Sequence, residues 1–244
     1  MKYYKQQHIC KLLPVKEEIN YWNEMSKKVL GKRLPICLTE RSSLSQFTNF
    51  NGELNIAFPT KIGSDDYLAV VVESFKSVSP AIFSHEIMHW ILKLEGYPGI
   101  RDLNNPQSLL VAHINDLSIH NLLWKRVKKF GKNVEEEINS RAITDLNLMI
   151  NHQNIDELEL ALLVADDINN CPDYLATTLH KALKNGYHKS FEYYQIIDKA
   201  LTSHNLEDPR EVKEFLLEIV NNCKIMGKWD IPDETASLRM AINR

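Results

Sequence analysis

A chain of 244 residues can bury one large core or two small ones, and 44% hydrophobic content beside 25% charged residues sets disorder aside in favour of an ordinary globular protein. The net charge of −3 leaves no electrostatic footprint for nucleic acid or an anionic membrane surface as partner. Charge is uneven, however: residues 1–130 carry 17 Lys/Arg against 12 Asp/Glu and residues 131–244 carry 12 against 20, which points to two regions.

At the N-terminus, Met1-Lys2-Tyr3-Tyr4-Lys5-Gln6-Gln7-His8 lacks the apolar stretch and small-residue cleavage site of a secretory signal. No later apolar run approaches the roughly 18–20 residues that span a bilayer. Cys10, Cys37, Cys171 and Cys223 stand far apart, with no C-x-x-C pair, and read as reduced thiols. A cytoplasmic protein is the expectation. Val15, Ile19, Trp22, Met25 and Val29 recur at helical spacing, so residues 15–30 read as an amphipathic helix that Gly31 stops. Leu34–Leu38 follows, and then Leu44–Phe47 and Leu54–Phe58 flank Asn51-Gly52. Asn-Gly supplies the positive backbone angles of a tight hairpin, which predicts a small antiparallel sheet. Leu68-Ala69-Val70-Val71-Val72 suits either a strand or a helix begun at Ser64-Asp65-Asp66.

From Pro80 the pattern is helical through Leu94, ended by Glu95-Gly96-Tyr97-Pro98-Gly99. A second long helix is expected over Ser108–Phe130, its last turns holding Lys125, Arg126, Lys128 and Lys129, which suit the negative end of a helix dipole. Beyond Gly131 five further helices are predicted, at about 134–151, 155–170, 173–185, 189–203 and 208–224. Nothing in that half looks catalytic, and the best candidate boundary lies near residue 131, giving a unit 1–131 and a helical extension 132–244.

The chemistry concentrates in His85-Glu86-Ile87-Met88-His89. Two histidines four residues apart on a helix share one face, where both imidazoles reach one metal ion. Glu86 lies beside that face, placed to take a proton from a water that the metal activates. The flanks Ala81-Ile82-Phe83-Ser84 and Trp90-Ile91-Leu92 are uncharged, so the helix should be buried, where imidazoles and a carboxylate require partners or a metal. On the second helix His113, Asp116 and His120 fall within about 60° of one another inside an apolar stripe with Leu109, Ala112, Leu123 and Val127. Asp116 is the first choice for a third ligand, with His120 and His113 as alternatives.

With its uncharged flanks, the His85–His89 segment resembles the active-site helix of the zincin metallopeptidases. In the thermolysin-like gluzincins an acidic third ligand follows Asn on a second helix, and Asn115-Asp116-Leu117-Ser118-Ile119-His120 is similar to that arrangement, with Asp for the ligand Glu and His for a later Asp. Glu95 stands where metzincins place a third ligand, but Leu92 occupies the position of their glycine turn. The resemblance implies a predominantly helical α+β fold: an N-terminal helix, a small antiparallel sheet, the His85/His89 helix, a third-ligand helix and a C-terminal helical extension. It also implies a Zn2+ cofactor held by His85, His89 and Asp116, with Glu86 as the catalytic residue of a peptidase acting on a cytosolic protein or peptide. An edge strand near Leu54–Phe58 or Leu68–Val72 would bind that peptide. Hydrolysis of another amide or ester, or a non-catalytic binding role, fits the same residues. Tyr97 is a candidate oxyanion donor.

Overall fold

The computed structural model describes residues 3–43, 56–76, 78–105, 108–151, 155–233, 235–236 and 239. The fold is α+β, mostly helical with a small sheet. Backbone contacts divide it into two units, one of Met1–Gly96, Arg126–Lys132 and Asp233–Arg244, the other of Tyr97–Lys125 and Asn133–Pro232.

The first unit holds β1 (Tyr3–Lys5), α1 (Gln6–Leu12), α2 (Lys16–Leu30), β2 (Ile36–Glu40), β3 (Ile56–Ile62), β4 (Asp65–Val72) and α3 (Pro80–Leu94). Gly31 ends α2 with φ 79°, a left-handed conformation that glycine takes without strain. The sheet order is β1-β2-β4-β3. It is mixed rather than antiparallel as expected: β1 pairs antiparallel to β2 and β3 to β4, but β2 and β4 pair in parallel, Ile36 opposite Leu68 through Glu40 opposite Val72. The reason is topological, since β3 intervenes in the chain and pairs on the far side of β4, leaving β2 and β4 pointing the same way. Leu68–Val72 is thus a strand inside the sheet, and its unbroken apolar run matches a strand buried on both faces. The β3–β4 turn is Gly63-Ser64, with Ile62 opposite Asp65 and Gly63 at φ 64° supplying the positive angle. The hairpin expected at Asn51-Gly52 lies outside the described residues.

The second unit holds β5 (Arg101–Asp102), most of α4 (Leu109–Lys129), α5 (Glu135–Ile150), α6 (Glu157–Asn170), α7 (Asp173–Gly186), α8 (His188–Ser203), α9 (Pro209–Asn222) and β6 (Trp229–Asp230). Asp156 caps α6 by accepting from the backbone N–H groups of Leu158 and Glu159, and Asp208 caps α9 in the same manner through Arg210. Helix α6 is the core of this unit, with Leu158, Leu160, Ala161, Leu162, Val164 and Ala165 buried. Asp166 and Asp167 continue that buried run. Among the described residues no helix is long and apolar enough to cross a membrane.

Candidate metal centre

Helix α3 is held from several sides before its histidines are considered. Ser79 caps its start by accepting from the Ile82 N–H at 3.0 Å, and Pro80 occupies the first turn, where a missing N–H costs nothing. Ser84, next to His85, donates its hydroxyl to Glu18 Oε1 of α2 at 2.8 Å. Glu18 is fully buried, and Lys132 Nζ meets the same oxygen at 2.8 Å. Trp90, next to His89, donates its indole N–H to the Ala57 carbonyl of β3 at 2.7 Å. The register of both histidines is therefore set by polar contacts as well as by the buried Phe83, Ile87, Met88 and Ile91.

On this helix His85 Nε2 and His89 Nε2 lie 2.9 Å apart, the rings meeting edge to face with centroids 4.6 Å apart. The two nitrogens thus converge as one-turn spacing requires. Glu86 is buried, its Oε1 3.9 Å from His85 Nε2.

On α4 the three expected candidates separate. His113 Nε2 faces Glu159 Oε1 of α6 at 3.2 Å. Asp116 Oδ1 lies 3.6 Å from His120 Nε2, one turn along the helix. His120 itself is 1% exposed, and its Nδ1 stands 2.6 Å from Asp166 Oδ2. The Arg141 guanidinium, from α5, pairs with the same Asp166 oxygen and approaches Asp167 Oδ1 at 3.4 Å. Burial alone would push the Asp166 carboxyl up, but the neighbouring charges of His120 and Arg141 outweigh it and hold it well below the usual carboxylate range. An ionised Asp166 can only accept, so His120 Nδ1 carries the proton and donates it. The 3.0 Å approach of Arg141 Nη1 to Nδ1 is then two donors meeting on one carboxylate. In the neutral imidazole this tautomer leaves the lone pair on Nε2, the atom a metal would use.

His85 and His89 therefore bring two ligand nitrogens together on one helix, within the first unit. His120 and Asp116 stand beside each other on α4, in the second unit. Glu95 turns to other partners: its carboxylate accepts from the Tyr21 hydroxyl at 2.8 Å and pairs with Arg126. The Tyr97 hydroxyl donates to the Glu207 carbonyl at 2.6 Å. Asn115 clamps the backbone of Ile100, its amide accepting from the N–H at 2.7 Å and donating to the carbonyl at 3.0 Å.

Glu18, Asp166 and Arg141 are absent from the sequence reading. A signal existed for two of them. Glu18 flanks the apolar stripe of α2, beside Ile19 and Trp22, and Asp166-Asp167 interrupts the most apolar stretch of α6. Both are acids placed where a helix faces a core.

Compared with known proteins, the chain matches no family model, no curated protein and no solved structure.

Proposed function

We propose that the protein is a metal-dependent hydrolase and, within that class, a peptidase. The observation that carries the reading is the convergence of the His85 and His89 nitrogens with Glu86 one residue along the same helix. These donors fit zinc, since two neutral imidazoles with a third side-chain ligand, the role proposed for His120 of α4, make up a catalytic zinc set that leaves a coordination position for water. Zinc held there would supply Lewis acidity, bringing the pKa of a water toward about 7. Glu86 is the general base of this scheme. Its carboxylate takes a proton from the attacking water and returns it to the leaving amine, and its burial keeps that exchange away from bulk solvent. His120 is oriented by Asp166, and His85 and His89 by the contacts that fix α3.

A peptide fits as substrate because β3 stands at the edge of its sheet among the described residues and is tied through Ala57 to Trp90, the neighbour of His89. An extended chain laid along such an edge gains main-chain hydrogen bonds. Of the two strands considered for this role, β4 is paired on both sides, which leaves β3.

A second reading has its own observation. Asp116 Oδ1 is 3.6 Å from His120 Nε2, close enough for a small side-chain movement to make it a fourth protein ligand. Such a closed set is structural, and the protein would then be a metal-loaded binding module. Elemental analysis beside a peptide-library digest separates the two readings. Zinc near one equivalent, lost in the His85→Ala/His89→Ala variant, is expected, with cleavage reduced at least about 100-fold by Glu86→Gln at unchanged zinc content. Zinc without cleavage by wild type would favour the binding module, and no zinc uptake at all would sink both.

A further inference from the structure

The second unit contains a 180 Å³ cavity whose wall has two chemistries. Leu117 and Leu122 of α4, Leu201 of α8 and Leu206 form an apolar sleeve, while Asn121, Asn169 and Asn170 supply amides. The orientation of two of those amides follows from their partners. Asn169 Nδ2 donates to the Ala165 carbonyl at 3.0 Å, and Asn170 Nδ2 donates to the Asp166 carbonyl at 2.7 Å and to Asp166 Oδ1 at 2.9 Å. Since these partners are acceptors, both N–H groups of Asn170 and one of Asn169 are engaged with their own helix, which leaves each carbonyl oxygen as an acceptor for the cavity. Asn169 and Asn170 are also the last residues of α6, and Leu201 lies in the last turn of α8. Neither helix has a basic residue in its last turn to offset the partial negative charge of its C-terminus. The Lys125 ammonium at the rim is paired with Glu207 at 3.1 Å, and His204 with Glu218 at 2.8 Å, so neither presents an unbalanced positive charge.

An apolar sleeve ending in carbonyl oxygens and two helix C-termini is complementary to an alkyl chain tipped by a cation. We infer that this cavity binds the side chain of lysine or arginine, and that it is the specificity pocket for a basic residue of the substrate peptide. Its position supports the second clause. Leu117 lies one turn before His120 on α4, and Asn170 bonds the very carboxylate, Asp166, that orients His120. The second clause rests on the peptidase reading; the first does not.

The test uses the full-length protein and simple probes. Titration with n-butylguanidinium and n-butylammonium chloride, read by the side-chain amide resonances of Asn121, Asn169 and Asn170, should give saturable shifts, and n-butanol at equal concentration should not. Asn121→Lys should weaken the cation at least tenfold and Asn121→Asp should tighten it. The opposite signs guard against general damage, which weakens both, and thermal melts verify folding. Equal binding of butanol, no saturation by either cation, or indifference to both substitutions would overturn the pocket. Zinc-loaded protein should then cleave peptides bearing Lys or Arg at least tenfold faster than the norleucine analogues, a preference lost in Asn121→Lys. Cation binding with no cleavage of any peptide would remove the peptidase reading and with it the assignment as a specificity pocket, leaving the cation site intact. Cleavage indifferent to the basic residue would overturn the specificity assignment alone.

Discussion

The two ring nitrogens of His120 have different neighbours, and the difference sets what the residue does. Nδ1 meets the ionised Asp166, whereas Nε2 lies on the side of Asp116. If the imidazole is a ligand, Asp166 raises its basicity and fixes its tautomer. Asp166→Asn should therefore lower zinc affinity about 10- to 100-fold in a competitive chelator titration. An unchanged affinity would remove His120 from the proposed centre. The sequence places His113, Asp116 and His120 on one stripe of α4 and puts Asp116 first, but it does not reveal the partner of His120, which arrives from α6, 46 residues away. Asp166 was hidden for a physical reason: a carboxylate in an apolar helix looks like a misplaced surface group until the facing Arg141 is known.

Its neighbour Asp167 behaves in the opposite way. Burial, and then the charge of Asp145 beside it, push the Asp167 carboxyl up to about 9, and Asp145 is itself raised, mainly by burial. The two acids share a hydrogen bond and hold a proton between them at neutral pH. A carboxyl whose folded pKa lies above its unfolded value of about 3.9 stabilises the fold fully below that value and loses the contribution as pH rises through the folded pKa. Stability should accordingly decline from about pH 4 to about pH 9, and Asp167→Asn, which keeps a donor toward Asp145, should flatten that decline. Urea midpoints at a series of pH values measure this, and parallel curves for the two proteins would refute it.

Among the elements, the helices were the most legible. Helix α2 at Lys16–Leu30, α3 at Pro80–Leu94 and the five helices after residue 131 appear close to where periodicity, caps and breakers place them. The sheet was less so, since parallel pairing of β2 with β4 depends on which strand the chain visits between them, and no local pattern encodes that. Equally invisible was the attachment of α3. Glu18, Ser84 and Lys132 lie far apart in the sequence, yet they meet at one buried carboxylate oxygen behind His85. Removing that carboxylate leaves the ammonium of Lys132 in a protein environment without its counter-charge. Glu18→Ala should thus cost about 3–5 kcal/mol in urea denaturation, whereas Ser84→Ala should cost about 1–3 kcal/mol. Equal, small losses would mean that apolar packing alone seats the helix.

For the whole molecule, the proposed metal couples function to stability. An ion that binds the folded chain and not the unfolded one adds RT ln(1 + [L]/Kd), about 2.7 kcal/mol when the free ion is at 100 times its Kd. In a chain of this size each kcal/mol moves the unfolding midpoint by about 2–4 °C, so saturating zinc should raise it by about 5–11 °C over chelator-treated protein. The same shift should be absent from His85→Ala/His89→Ala and retained in Glu86→Gln, because the glutamate is assigned to the proton and the histidines to the ion. That contrast matters because loss of activity in either variant can follow from misfolding, whereas a zinc-dependent shift is measured only on molecules that fold. A shift that survives loss of both histidines would place the ion elsewhere and return His85 and His89 to a half-buried, hydrogen-bonded pair on α3.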